Sequence, residues 1–202
     1  MRPGLRPIRG LAETRITAGA WRGRRVLTPR GQAVRPTTSL VREALFNILG
    51  ERVVGAAVLD LYAGAGTLGF EALSRGAAGA VFVERDRKAL DLVAQTAESL
   101  GCADRCRLIA ADVLTWLRRG PEEAVTADIA LLDAPYRDEQ LEDALRLLGD
   151  RPPALVVCEH HRSRRLGERF GRLQRVREAG YGATQLTILR REDAAGSGGD
   201  RG

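Results

Sequence analysis

Strand-like and helix-like segments alternate from residue 57 onward, and this alternation restricts the fold more than any other feature of the sequence. Short apolar runs predict strands at residues 57–62, 80–85, 105–112, 127–135 and 154–160. Helical spacing predicts helices at residues 66–76, 86–101, 113–120 and 138–149. Because crossover helices join parallel strands, we expect a doubly wound α/β fold with a mostly parallel sheet. Two strands around a Gly-Tyr-Gly turn in residues 172–191 would add an antiparallel C-terminal edge.

The segment before this alternation predicts a separate N-terminal extension. Residues 14–19 and 24–29 read as two short strands, so we expect a β-hairpin within residues 13–36. A helix should then begin in the run PTTSLVREALFNIL and end before Gly50, within a main domain of residues 37–192. Residues 1–12 and 193–202 have the composition of mobile tails.

Positive charge is concentrated in two parts of the 202-residue chain. The formal net charge is +6, but residues 1–36 hold nine arginines and one acid, and residues 162–177 hold seven arginines and one acid. The body between them, residues 37–161, has a net charge of −7. An acidic body with two basic segments is typical of a polyanion-binding protein, because clustered cations displace counterions from a phosphate backbone. A solvated basic arm is the alternative.

The rest of the composition favours a cytoplasmic protein. No apolar stretch approaches the roughly 18 to 20 residues that span a bilayer, and no apolar segment follows the basic N-terminus as in a secretory signal. The three cysteines have no Cys-x-x-Cys spacing, so we expect reduced thiols. A zinc site from Cys102, Cys106 and His160 or His161 is an alternative, but we predict no metal site.

A glycine-rich turn follows the first predicted strand of the main domain. Gly64, Gly66 and Gly69 lie where a strand passes into a helix, and Glu84 ends the next strand. Glycines there let the backbone approach a ligand, and the carboxylate could accept hydrogen bonds from ribose hydroxyls. This pattern is shared by dinucleotide sites and S-adenosylmethionine sites. Two acids favour S-adenosylmethionine over a nicotinamide cofactor: Asp60 near the end of the first strand, and Asp112 at the end of the third strand.

The fourth predicted strand ends in the tetrapeptide Asp133-Ala134-Pro135-Tyr136. It resembles the Asp/Asn-Pro-Pro-aromatic signature of amine-directed methyltransferases. An exocyclic base amine is a poor nucleophile because its lone pair is delocalised into the ring. The Asp133 carboxylate and the Ala134 carbonyl can accept its two N–H groups and direct the lone pair at a methyl donor. Tyr136 would supply a stacking face for an extruded base, whose identity the tetrapeptide does not specify.

Four blocks together resemble one family over residues 14–190: RITAGAWRGRRVLTP, VRPTTSLVREALFNIL, VLDLYAGAGTLGFEALSRGAA and DAPY. They are similar to the RsmD family of bacterial 16S ribosomal RNA (guanine-N2)-methyltransferases. The resemblance implies a Rossmann-like methyltransferase that uses S-adenosylmethionine to methylate the N2 amine of one guanine. It also implies that the substrate is 16S rRNA within the small ribosomal subunit, with no membrane or DNA partner, and we expect a monomer.

The resemblance assigns roles to individual residues. Catalytic roles fall on Asp133, Ala134, Pro135 and Tyr136. Cofactor contacts fall on Thr37, Thr38, Asp60, Tyr62, Ala63, Gly64, Gly66, Glu84 and Asp112. RNA contacts fall on Arg15, Trp21, Arg22, Arg24 and Arg25 of the hairpin. Arg42 and Glu43 are expected to brace their helix against the catalytic loop.

One departure from the family pattern bears on the rate. Ala134 stands where the family usually has proline, so the carbonyl acceptor is retained but the fixed φ angle of proline is lost. Three other functions stay open at this point. They are a non-catalytic RNA-binding assembly factor, a nicotinamide-dependent oxidoreductase, and a methyltransferase acting on DNA amines.

Overall fold

The computed structural model describes residues 11–29, 36–134 and 140–192. The predicted tails, apart from residues 11 and 12, lie outside these ranges, as do Pro135 and Tyr136. Within these ranges, only the backbone is described for residues 11, 12, 29 and 36–38.

An eight-stranded sheet forms the centre of the protein. Its strands are β3 (Ala57–Leu61), β4 (Gly79–Glu84), β5 (Cys106–Ala110), β6 (Ile129–Leu132), β7 (Leu155–His161), β8 (Arg169–Phe170), β9 (Leu173–Tyr181) and β10 (Thr184–Arg191). They lie in the order β5-β4-β3-β6-β7-β10-β9-β8. The first five strands of this order run parallel, and β10 pairs antiparallel with both β7 and β9. The predicted parallel sheet with an antiparallel edge is therefore confirmed.

Helices cover both faces of the sheet. They are α1 (Pro36–Leu49), α2 (Thr67–Ser74), α3 (Arg87–Leu100), α4 (Val113–Arg118), α5 (Glu122–Thr126) and α6 (Gln140–Asp150). One apolar cluster joins α1, α2 and α3 to one face of the sheet around Phe46, Phe70 and Phe82. A second cluster joins α4 and α6 to the other face around Trp116 and Leu145. The alternation of side chains along each strand thus divides the core into two layers.

Two antiparallel strands, β1 (Leu11–Arg15) and β2 (Arg25–Pro29), form the N-terminal hairpin. The prediction that the first strand covers residues 14–19 is wrong, because β1 ends at Arg15. The backbone N–H groups of Thr17 and Ala18 donate to the Glu71 carboxylate at 2.9 and 3.1 Å rather than to a neighbouring strand. A long-range contact therefore ends the strand, and residues 16–24 form the turn.

Candidate active site at the carboxyl edge of the sheet

The carboxyl ends of β3, β4, β5, β6 and β7 meet at one edge of the sheet, which we call the catalytic edge. Parallel register aligns Leu61 of β3 with both Val83 of β4 and Leu132 of β6. The chain order reverses between β3 and β6, and in such sheets ligands bind in the crevice at this switch point. The glycine turn after β3 and Asp133 after β6 stand on either side of that crevice.

The turn after β3 is held in a conformation that few residues adopt. Tyr62 has a φ of 60°, an uncommon value for a bulky residue, and Gly64 and Gly66 have φ values of 52° and 75°. The Gly66 N–H donates to the Ala63 carbonyl at 2.7 Å, which closes the turn. Gly66 then precedes α2 without a side-chain cap, so the helix start is presented to a ligand by backbone alone.

Gly69, in contrast, serves packing inside the protein. A Cβ at this position would lie 2.2 Å from the Phe82 ring and 3.1 Å from Asp60 Oδ2. The third glycine of the predicted ligand loop therefore lets α2 lie close to β3 and β4. Its sequence position does not distinguish these two uses, because both require the absence of a side chain.

Asp60 is a buried carboxyl beneath the glycine turn. Its Oδ2 accepts the Gly69 N–H at 2.9 Å. Burial raises the pKa of Asp60 to about 8, with the Glu84 charge acting in the same direction and the Gly69 hydrogen bond opposing it. Asp60 consequently holds a proton at neutral pH when no cation lies beside it. A cationic ligand in the crevice would favour the release of that proton.

The two other acids predicted for the cofactor side hold the loops in place. Glu84 accepts the Gly64 N–H through Oε2 and the Asp86 N–H through Oε1, each at 2.9 Å. Asp112 caps α4 by accepting the Thr115 N–H at 2.9 Å. That backbone hydrogen bond lowers the pKa of Asp112, so its carboxylate stays ionised. Each of the two groups retains acceptor capacity for a ligand beyond these bonds.

Asp133 follows β6 at the crevice, while the neighbouring Ala134 is buried. The Asp133 side chain is exposed, and the charges of Glu159 and Asp60 act on it. Desolvation by the surrounding protein raises its pKa well above the usual value, and the charges of Glu159 and Asp60 add to the effect. The carboxyl therefore holds its proton more tightly than an exposed aspartate does. Pro135 and Tyr136, the other half of the predicted tetrapeptide, lie outside the described residues.

Glu159 is a site residue that sequence reasoning missed. Leu132 pairs with Cys158, so Asp133 and Glu159 occupy the next positions along adjacent parallel strands. Glu159 is buried, with 8% of its surface exposed. The available signal was an acid inside the apolar run ALVVCEH, since buried carboxylates are uncommon without a partner or a function.

The helix that carries Thr37 and Thr38 is fixed to the rest of the protein through Arg42. Arg42 is buried and its Nε lies 3.3 Å from Glu71 Oε2, while its Nη2 donates to the Arg15 carbonyl at 2.7 Å. The described contacts of Arg42 thus brace α1 against α2 and the hairpin. The part of the predicted catalytic loop after Ala134 lies outside the described residues. Glu43 is exposed. Thr37 and Thr38 form part of the first turn of α1.

The hairpin turn, residues 16–24, lies away from the catalytic edge. The Ala20 N–H donates to the Ser74 carbonyl at 2.7 Å, and Arg24 donates to the Ser99 carbonyl at 2.7 Å. Both serines stand at the ends of helices that return from the catalytic edge to the amino ends of the strands. Trp21, expected to contact RNA, packs against the core with the Arg105 guanidinium over its ring at 5.1 Å. Its visible role is to anchor the turn.

The other hairpin arginines differ in whether their side chains bond to other groups of the protein. Arg15 donates to the Gly23 carbonyl at 2.8 Å, and Arg25 pairs with Glu13 at 3.1 Å. Arg22 is exposed. The structure does not bring the turn that carries these arginines to Asp133, so their contact with RNA stays a prediction.

The residues of the alternative zinc site do not come together. Cys102 and Cys106 lie beside β5 with their sulfur atoms 3.9 Å apart, whereas His160 and His161 lie on β7, four positions away in the sheet. Within the described ranges, no three His, Cys, Asp or Glu side chains form a group that could hold a metal ion. The same part of the chain contains no helix long and apolar enough to cross a membrane.

Comparison with known proteins agrees with this architecture. The family model described as conserved hypothetical protein 95 matches residues 14–190. Ribosomal RNA small subunit methyltransferase D of Escherichia coli K12 is 38% identical over 141 residues, 70% of this chain and 69% of the relative. Its namesake from Haemophilus influenzae is 34% identical over 159 residues, 76% of this chain and 82% of the relative.

Solved structures share the whole fold. One from Escherichia coli superposes with a TM-score of 0.79 at 34% identity and covers 90% of this chain and 99% of its own. A hypothetical protein of Thermus thermophilus gives a TM-score of 0.73 at 27% identity and covers 88% of this chain and 99% of its own. The family model spans most of the chain, including the hairpin turn and the crevice. The chain therefore belongs to the family of the ribosomal RNA small subunit methyltransferase D proteins.

Proposed function

We propose that this protein transfers a methyl group from S-adenosylmethionine to the exocyclic N2 amine of a guanine in 16S rRNA of the small ribosomal subunit. The names of its relatives support methylation of ribosomal RNA. The observation that carries the proposal is the position of Asp133 and Ala134 opposite the glycine turn, at the switch point between β3 and β6. We further propose that the protein acts as a monomer.

The residues of the crevice fit S-adenosylmethionine. Gly64 has a positive φ, and a Cβ built there would meet no atom within 4 Å. The space above the turn is therefore open to a ligand. In this proposal, Glu84 at the end of β4 accepts hydrogen bonds from the ribose, and Asp112 after the neighbouring β5 accepts one from the adenine amine. When bound, the cofactor supplies an electrophilic methyl group on a sulfonium cation. Asp60 and Glu159 give the crevice carboxyl groups that suit a cation.

Asp133 and Ala134 suit the handling of a base amine. The Asp133 carboxylate and the Ala134 carbonyl accept the two N–H groups, so the nitrogen lone pair is directed toward the methyl donor. A bond forms between N2 and the methyl carbon, the bond from that carbon to sulfur breaks, and the amine then loses one proton. The raised pKa of Asp133 suits it to take that proton and release it to water. Ala134 preserves the acceptor carbonyl without the ring of proline.

Transfer of a labelled methyl group tests the proposal. Small subunits from cells lacking this protein would be incubated with labelled S-adenosylmethionine, and the RNA digested to nucleosides. We expect label in N2-methylguanosine at a single position, and none in subunits from the parent cells. Asp133→Ala should reduce transfer about 10²- to 10⁴-fold with cofactor affinity retained. The matched control is Asp104→Asn, at an exposed residue away from the crevice.

Two other results would redirect the assignment. Binding of the cofactor without any transfer would favour an assembly factor that has lost methyl-transfer geometry. Label in adenosine or cytidine would retain the methyltransferase and reject the guanine amine as its target.

A further inference from the structure

The second basic segment, residues 162–177, begins at the catalytic edge, where β7 ends. Because β7 is parallel to β6, the loop after His161 emerges beside Asp133 rather than at the opposite edge. β9 and β10 turn at Gly182 and Ala183 on the same side, since β10 is antiparallel to β7. The Arg162 N–H donates to the Ala183 carbonyl at 2.7 Å and joins the loop to this turn. We call residues 162–165 and the 182–183 turn the edge platform.

The backbone of the edge platform is well braced. The Ser163 N–H donates to His161 Nδ1 at 3.2 Å, the Ser163 hydroxyl lies 2.6 Å from the same nitrogen, and the Arg164 N–H donates to the His161 carbonyl at 3.0 Å. Arg162 and Arg165 are exposed and Arg164 is half-buried. Three cationic side chains therefore project from an ordered turn, which reduces the entropy that a ligand contact would cost.

The arginines of residues 162–177 fall into two groups that the sequence does not separate. Arg169 pairs with Glu192 at 2.6 Å, Arg175 pairs with Glu168 at 3.0 Å, and both acids lie on the protein itself. Arg172 donates to the Glu192 carbonyl at 3.2 Å. Within the part of the chain that the structure describes, Arg162, Arg164 and Arg165 make no ion pair with an acid. Arg172 and the exposed Arg177 also make no ion pair within these ranges, so three of the five arginines of the segment that no acid neutralises there lie at the catalytic edge.

We propose that the edge platform binds the phosphate backbone of the RNA substrate next to the target base, through Arg162, Arg164 and Arg165. A base inside the crevice leaves its flanking phosphates near the rim, where arginines give bidentate, charge-assisted contacts. The identity of the ligand as RNA rests on the proposed function.

A charge-matched comparison tests the platform. The variant Arg162→Gln/Arg164→Gln/Arg165→Gln removes three positive charges from the catalytic edge. The control Arg52→Gln/Arg119→Gln/Arg151→Gln removes three exposed charges that lie before β3, after α4 and after α6, toward the amino ends of the strands. Binding to unmethylated small subunits would be measured over a series of salt concentrations, with thermal melting to verify folding and a separate measurement of cofactor affinity.

We expect the platform variant to bind at least about tenfold more weakly at low salt, with a slope of log affinity against log salt that is smaller by about 2 to 3. Transfer at saturating substrate and cofactor affinity should stay near the parent values. The control variant should match the parent in slope. Equal slopes for the parent and a folded platform variant would overturn the inference, as would equal losses in the two triple variants.

Failure of this inference is distinguishable from failure of the proposed function. Binding and its salt dependence report on the platform without any methyl transfer. If the parent methylates guanine and the platform variant binds normally, only the platform assignment is wrong. If the parent binds subunits through the platform but transfers no methyl group, the surface assignment stands and the proposed reaction is wrong.

Discussion

The Asp60 carboxylate and the Gly69 backbone N–H are joined by a hydrogen bond of 2.9 Å that crosses from the end of β3 into α2. Gly69 has no room for a side chain, because a Cβ would approach the Phe82 ring to 2.2 Å. This single bond therefore fixes the separation between the helix start and the strand. The glycine turn lies between these two residues, so its shape depends on a contact inside the protein.

Gly69→Ala should destabilise the protein by about 3 kcal/mol, since the extra methyl group overpacks a filled region and lengthens the Asp60 bond. The matched control is Gly167→Ala, where the nearest atom would be an ordinary 3.5 Å away. Chemical denaturation of both variants measures the difference. Equal stabilities for the two would show that α2 shifts freely on the sheet.

Asp60→Asn should change how stability depends on pH. The pKa of Asp60 is raised in the folded protein to about 8, above its unfolded value near 4, so the folded state holds this proton more tightly. Its contribution is complete at low pH and is lost as pH rises toward 8. Asparagine retains an acceptor for Gly69 without titrating. Melting temperatures without ligand should thus fall less for the variant than for the parent between pH 5 and about 8.5, and parallel curves would contradict the assignment.

The rate of methyl transfer should rise with pH as the Asp133 carboxyl ionises. Desolvation and the charges of Glu159 and Asp60 raise the pKa of Asp133, and this carboxyl can take a proton from the amine only when it is ionised. Single-turnover rates at saturating cofactor and substrate would be compared at pH 6 to about 9. Asp133→Asn should lose both most of the rate and the pH-dependent rise. A parent rate independent of pH would remove the carboxylate from the proton transfer.

Glu71→Gln should cost about 3 kcal/mol or more of stability. Glu71 is fully buried and pairs with Arg42 at 3.3 Å and Arg75 at 2.9 Å. It also accepts the Thr17 and Ala18 N–H groups, which an amide NH₂ would oppose. Glu98→Gln on the exposed face of α3 is the matched control. Urea denaturation of the two variants measures the effect, and a loss below about 1 kcal/mol for Glu71→Gln would mean that the arginines find other partners.

Local patterns predicted most of the sheet but not its long-range contacts. The boundaries of β3, β4 and β7 agree with the apolar runs to within a residue or two, because each run is buried on both faces. The early end of β1 depends on Glu71, more than 50 residues away, and no local signal contains it. The short elements α5 and β8 were also missed, since pieces of five and two residues carry too little periodicity.

The residues of the candidate site also separate into those that a local pattern predicts and those that depend on long-range contacts. Asp60, Gly64, Glu84 and Asp133 were found because a strand end and its turn are adjacent in sequence. Glu159 was missed because its closeness to Asp133 depends on the pairing of β6 with β7. The seven arginines of residues 162–177 form one charge run in the sequence. Only the folded structure shows that Arg169 and Arg175 pair with acids, whereas residues 162–165 lie at the catalytic edge.

The hairpin turn offers a second set of arginines, and its effect on RNA binding should be smaller than that of the edge platform. Arg24 is bonded to Ser99 and Arg25 to Glu13, whereas Arg22 is exposed. We expect Arg22→Gln/Arg24→Gln/Arg25→Gln to reduce the salt slope of subunit binding by about 1, against about 2 to 3 for the platform variant. A loss at the turn equal to or greater than that at the platform would place the main RNA contact on the N-terminal hairpin.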